Sequence, residues 1–235
     1  MKIVIQCAGS KNPQYGLGFN ENRKLVKFVA DCTVDYIKSY PHTNNYAYVR
    51  PDDICARPDY SSENQYTWRK KLLNYNKEEK SNPLGLLPAY QLYAHKVYES
   101  LVTKFGENQV FILSAGWGLI RSDFLTPDYD ITFSNAKNVK PYAHRRKSDN
   151  YDDFCQLPND DEIIVFIGGK DYLPLFCKLT KELPAKKQVF YNSNKPPDLS
   201  TYGNSFLSPL KFITKQKTNW HYTCAQDLID GKIKI

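Results

Sequence analysis

The sequence predicts a single α/β domain spanning residues 1–235, a three-layer, mainly parallel central sheet flanked by helices. Three observations predict it. Short apolar runs rich in Ile and Val recur at 2–7, 109–114 and 162–167. Each run stops in a polar loop of small residues, and stretches with helical spacing lie between them, the pattern of strands joined by crossover helices. Finally, 235 residues of which 41% are hydrophobic can bury one sizeable core without disulfide or metal staples.

Taken in order, residues 2–7 read as a strand closed by Ala8-Gly9-Ser10-Lys11-Asn12-Pro13. Leu25, Phe28, Val29, Cys32, Tyr36 and Ile37 recur at helical spacing and predict a helix over 22–40, stopped by Pro41. Residues 46–49 suit a second strand. The polar stretch from 56 to about 86 reads as an insertion with one short helix at 66–74. Pro88 opens a helix carrying Leu92, Tyr93, Val97, Leu101 and Phe105, with Gly106 as its cap. A strand at 109–114 runs into Ala115-Gly116-Trp117-Gly118, and a polar, basic loop fills about 135–160. A strand at 162–167 leads through Gly168-Gly169-Lys170-Asp171 into a helix bearing Tyr172, Leu175, Phe176 and Leu179. A strand at 188–191 and a helix near 223–229 complete the chain.

Ligands of open α/β sheets bind beyond the carboxyl ends of the strands. Three loops fall at such ends: 8–13, 115–130 and 168–171. In the first, Ser10 and Lys11 supply a hydroxyl and an ammonium for an anion or a nucleophilic step. In the second, Gly116 and Gly118 flank Trp117 and permit positive φ and close approach to a ligand. Asp128 and Asp130 then flank Tyr129. Gly168 and Gly169, ahead of Tyr172, offer backbone N–H groups to a phosphate or carboxylate. The competing reading of all three loops is a tight turn with caps. No Walker or dinucleotide glycine pattern occurs.

The formal charge of +7 and an aromatic share of 14% fit a polyanionic partner. Two basic stretches interleaved with aromatics stand out: Arg69, Lys70 and Lys71, and Lys140, His144, Arg145, Arg146 and Lys147. Such residues neutralise phosphates, or else form an ordinary solvated face. The six cysteines are scattered without a Cys-x-x-Cys pair, which reads as free thiols of a reducing compartment. His and Cys do not fall at zinc spacing, so neither a metal nor a cofactor is expected. Lacking a signal peptide or an apolar run long enough to span a bilayer, the chain is expected to be a cytoplasmic monomer without membrane contact.

Three blocks resemble the YaaA-like proteins, distant relatives of the uracil-DNA glycosylase superfamily. They are the first strand with its small-residue-plus-Lys loop, the run from Phe111 to Ile120 followed by Asp123-Phe124-Leu125 and Pro127-Asp128-Tyr129-Asp130, and the turn at 168–173. The resemblance covers about half of the chain. It implies a uracil-DNA-glycosylase-like sheet that accepts a base flipped out of double-stranded DNA. The sequence lacks the Gly-Gln-Asp-Pro-Tyr and His-Pro-Ser motifs of true uracil glycosylases. The expectation is a DNA glycosylase acting on a modified, bulky, phage-type pyrimidine, with a role in antiviral defence by analogy. Asp130 and Asp128 are the candidate catalytic carboxylates. Trp117 and Tyr129 would stack on the base and Gln6 would read its edge, while Ser10, Lys11 and the Gly168-Gly169 turn would hold phosphates. The alternatives are a non-catalytic DNA-binding stress protein and a small-molecule nucleoside hydrolase or transferase.

Overall fold

The computed structural model describes residues 1–13, 17–35, 37, 45–55, 66–203 and 206–235. Strand β1 (Lys2–Gln6) is the buried apolar run expected. The expected helix over 22–40 is corrected: the chain forms β2 (Asn20–Glu21) and β3 (Lys24–Val29) instead. Asn22 and Arg23 between them both take positive φ, 50° and 64°, with Glu21 paired to Lys24. That is a two-residue hairpin turn of the kind usually marked by Asn-Gly. The spacing of Leu25, Phe28 and Val29 suits a helix equally well, but Val26 and Phe28 alternate into the core as a strand requires. β4 (Tyr46–Val49) adds to β3 in parallel. Of the remainder of the expected helix, 36 and 38–40 lie outside the described residues.

Of the expected insertion, 56–65 also lies outside the described residues, whereas 66–86 is well packed. Thr67 caps α1 (Trp68–Glu78) by accepting from the Lys70 N–H, and Trp68 and Leu72 are buried in the core. The helix expected after Pro88 is split. β5 (Leu87–Pro88) precedes α2 (Ala89–Leu92), and α3 (Val97–Phe105) follows four residues later. Tyr93 is extended because it bridges antiparallel to Lys11. Gly106, φ 87°, caps α3 as expected.

β6 (Val110–Ser114) turns through residues 115–117 into antiparallel β7 (Gly118–Arg121). Gly118 has φ +88°, and a Cβ there would lie 2.5 Å from the Phe154 carbonyl oxygen. Both facts demand glycine. β8 (Leu125–Thr126) pairs with β5, and β9 (Tyr129–Asp130) pairs with β3. β10 (Phe154–Cys155), β11 (Ile164–Ile167), α4 (Leu173–Leu179), β12 (Lys187–Tyr191), β13 (Leu207–Lys211) and α5 (Trp220–Ile229) complete the described elements.

The chain is thus α/β, with a mostly parallel seven-stranded sheet ordered β10-β7-β6-β1-β11-β12-β13 and flanked by helices. Among the described pairings of this sheet, only β6–β7 is antiparallel. β1 is central, with β6 on one side and β11 on the other. The sheet therefore grows in opposite directions from β1, the arrangement in which open α/β sheets take ligands beyond the carboxyl ends of the strands. A smaller sheet, β2-β3-β4 with β9 on β3, carries the Tyr129–Asp130 segment. No described helix is long and apolar enough to cross a membrane.

Candidate active site

The loop at 115–117 is a structural hub, which corrects several expectations. Arg145 donates from Nη1 to the Ala115 carbonyl at 2.7 Å. Arg69 donates to the Gly116 and Trp117 carbonyls, each at 3.0 Å. Ser114 Oγ accepts the Gly116 and Trp117 N–H groups. Both guanidiniums are buried. Arg69 pairs with Asp52, and Arg145 forms a two-pronged pair with Asp153 at 2.8 and 2.6 Å. Arg69 and Arg145 are therefore not surface phosphate contacts; a buried charge needs its carboxylate and carbonyl partners, and these have them.

Trp117 is fully buried and packs edge-on to Phe28, ring centroids 4.9 Å apart, and to Tyr129 at 6.4 Å. Tyr129 and Tyr172 are buried as well. None of the three presents a stacking face to a base, because each is enclosed by the core. Trp117→Phe is expected to cost about 1–3 kcal/mol of stability in urea unfolding, with the properties of the folded remainder unchanged. Unaltered stability with weakened ligand binding would return Trp117 to a pocket.

Around Tyr129 lies a ring of buried hydroxyls. Ser114 Oγ donates to the Tyr129 hydroxyl at 2.8 Å, the Tyr93 hydroxyl lies 2.8 Å from it, and Cys7 Sγ sits 3.2 Å from the Tyr172 hydroxyl. Burial holds the Tyr93, Tyr129 and Tyr172 phenols well above their ordinary value, so they remain protonated.

Asp128 and Asp130 follow the alternation of an extended segment. Tyr129 points inward, Asp130 is half-buried and Asp128 is exposed. Asp130 Oδ2 lies 3.2 Å from Lys27 Nζ, 3.8 Å from Lys140 Nζ, and accepts from the Tyr142 hydroxyl at 3.3 Å. Burial pushes the Asp130 carboxyl up, but Lys27, with Lys11 and Lys140 further off, holds it below its ordinary value. Burial pulls Lys27 down in turn, and Asp130 outweighs it. Lys11 donates to the Tyr129 carbonyl at 2.6 Å with its ammonium 4.1 Å from the centre of the Tyr129 ring. Lys11 thus sits on the backbone between Asp128 and Asp130, and both carboxylates act on its charge. Ser10 is exposed, and its carbonyl accepts from the Ala94 N–H.

The third loop, 168–171, follows β11, the neighbour of β1. Gln6 Oε1 accepts the Gly169 N–H at 2.5 Å, which leaves its amide to donate to His221 Nε2 at 3.3 Å. His221 must then be neutral at that nitrogen. Burial and the neighbouring His95 press its pKa down to about 4. This Gln6–His221 pair, 215 residues apart, carried no local signal in the sequence. A cavity of about 340 Å³ adjoins the Gly168–Gly169 turn, with Phe166, Val189, Asn192, Ser193 and Trp220 in its walls. Gly168 sits against the Phe166 ring and has no room for a Cβ, which would lie 2.4 Å from it.

Of the remaining basic residues, Lys70, Lys140, Arg146 and Lys147 are exposed. Lys71 lies over the Trp68 ring at 4.7 Å, Lys147 pairs with Asp171 at 2.8 Å, and His144 Nδ1 donates to the Ser134 carbonyl at 3.2 Å. Among the described residues, no cluster of three His, Cys, Asp or Glu side chains could hold a metal ion. No family model, curated protein or solved structure matches the chain.

Proposed function

We propose that the chain is a DNA glycosylase that hydrolyses the N-glycosidic bond of a modified pyrimidine. The observation that carries this reading is Asp130, a half-buried carboxylate kept ionised by Lys27 and next in the chain to Tyr129, whose carbonyl holds the Lys11 amine. Cleavage of an N-glycosidic bond builds positive charge on the sugar, and a fixed carboxylate stabilises that charge and can orient water. Lys140, exposed beside Asp130, suits a phosphate flanking the sugar. The cavity at the Gly168–Gly169 turn, with Trp220 and Phe166 in its walls and Asn192 and Ser193 at its polar side, suits a base. The uracil-DNA-glycosylase-like form of the sheet and the defence role belong to the same proposal.

The test is incubation with genomic DNAs carrying different pyrimidine modifications, scored by mass spectrometry for released base. Release from one of them, leaving abasic sites, is expected. The burial of Arg69 and Arg145 favours a second reading, a hydrolase of free nucleosides. Release from nucleosides alone, with no DNA substrate, would select it.

DNA binding carries its own expected result. With Lys70, Lys140, Arg146 and Lys147 as the exposed cations of the two stretches, log affinity should fall with log salt at roughly 0.9 per duplex contact. Arg146→Ala with Lys147→Ala should weaken binding alike on all sequences. An electrophoretic shift insensitive to salt would contradict this surface.

A further inference from the structure

Three lysines surround the Tyr129–Asp130 strand, and they differ. Lys27 is ion-paired to Asp130 at 3.2 Å. Lys140 reaches the same oxygen at 3.8 Å from a side chain half in solvent. Lys11 instead donates to a neutral backbone carbonyl, that of Tyr129, at 2.6 Å. Its own backbone is pinned on both sides, because the Asn12 N–H donates to the Leu92 carbonyl at 2.7 Å and the Ala94 N–H to the Ser10 carbonyl at 3.2 Å. The amine is therefore held in one place, half-buried against the Tyr129 ring, at the carboxyl end of the central strand. A neutral carbonyl accepts an N–H without stabilising the charged form as a carboxylate does, so Lys11, unlike Lys27, is not locked as an ammonium.

We propose that Lys11 is the nucleophile of an abasic-site lyase activity, acting on the ring-opened aldehyde of a deoxyribose that has lost its base. This rests on the DNA-glycosylase reading for its choice of substrate. The nitrogen lone pair of the neutral amine adds to C1′ and the aldehyde oxygen takes up a proton, giving a carbinolamine. Water leaves and an iminium forms. A carboxylate of the Asp128–Asp130 pair takes a C2′ proton, the released electron pair forms the C1′–C2′ double bond of an enamine, and this expels the phosphate from C3′ with rupture of the C3′–O bond. Water then hydrolyses the imine, returning the amine and an unsaturated aldehyde. No oxidant or reductant is consumed. Burial lowers the Lys11 ammonium below the ordinary lysine value against the opposing charges of Asp128 and Asp130, which raises the share of free amine at neutral pH. Lys27, raised by its partner, is held in the unreactive charged form.

The test uses the full chain and a labelled duplex oligonucleotide whose single abasic site is made beforehand, so no base release is required of the protein. Borohydride added during the reaction should trap a covalent protein–DNA adduct, and peptide mapping should place it on Lys11. Strand scission without alkali should accompany it. Lys11→Met and Lys11→Arg should each lose scission by about 10²-fold or more, while Lys186→Met, at the far end of the sheet, should retain it. An adduct mapped to another residue, undiminished scission in folded Lys11→Arg, or no adduct with the wild-type chain would overturn the proposal. Base release from modified DNA without any adduct would leave the glycosylase reading standing and remove only this one.

Discussion

Asp130→Asn is expected to slow base release by ~10²-fold or more in single turnover while DNA binding is retained. The substitution keeps the size of the side chain and removes the charge. Two consequences separate a catalytic carboxylate from a structural one. Because Asp130 is held below its ordinary value, it is ionised through the neutral range. The wild-type rate should thus fall only in acid, as pH drops through that lowered pKa, and the residual Asn rate should lack this limb. Stability follows the same sign. A carboxyl depressed in the folded state stabilises the fold above its unfolded pKa and loses that contribution as pH falls through the folded one. Asp130 is about a third exposed, so solvent screening keeps the stability effect small. Wild-type turnover by folded Asp130→Asn would remove it from the chemistry and leave it as the partner of Lys27.

Arg145→Met is expected to destabilise the fold by ~3–5 kcal/mol in chemical unfolding, because it strands the buried Asp153 carboxylate and the Ala115 carbonyl together. The double change Arg145→Met with Asp153→Leu removes both charges and should recover much of the loss. Arg145 also lies over the Tyr151 ring at 3.9 Å, a contact Met can partly replace. If Arg145 served the surface instead, the single change would weaken DNA binding and leave unfolding unaltered.

Strands β1, β6 and β11 were legible because strands covered on both faces read as apolar runs. The β2–β3 hairpin was not, since Asn22 and Arg23 take positive φ without glycine and Leu25, Phe28 and Val29 fall by coincidence at helical spacing. The arginines misled for a different reason. A basic residue in a basic run looks solvated until its partners are known, although Asp153 and Asp52 lie only 8 and 17 residues away from Arg145 and Arg69. The turn at 115–117 was correctly picked out as special, but what makes it so is internal: three successive carbonyls are gripped from inside. Lys11 and Asp130 were legible as chemistry-bearing types at strand ends. Their approach depends on the Lys11 amine reaching the Tyr129 carbonyl across 118 residues, a contact that periodicity does not reveal.

The outer margin of the sheet at β13 bears on how the molecule behaves in a crowd. Phe206 accepts from the Lys187 N–H and Phe212 donates to the Tyr191 carbonyl, so even-numbered residues of this strand turn their backbone toward β12. By alternation Pro209 turns its backbone outward, and at the middle of the rim a pyrrolidine ring replaces a donor. Lys211 follows on the same rim, and the opposite margin is a strand of two residues, Phe154–Cys155. Neither end offers a neighbouring chain a continuous ladder to extend, so the architecture discourages edge-to-edge fibre growth.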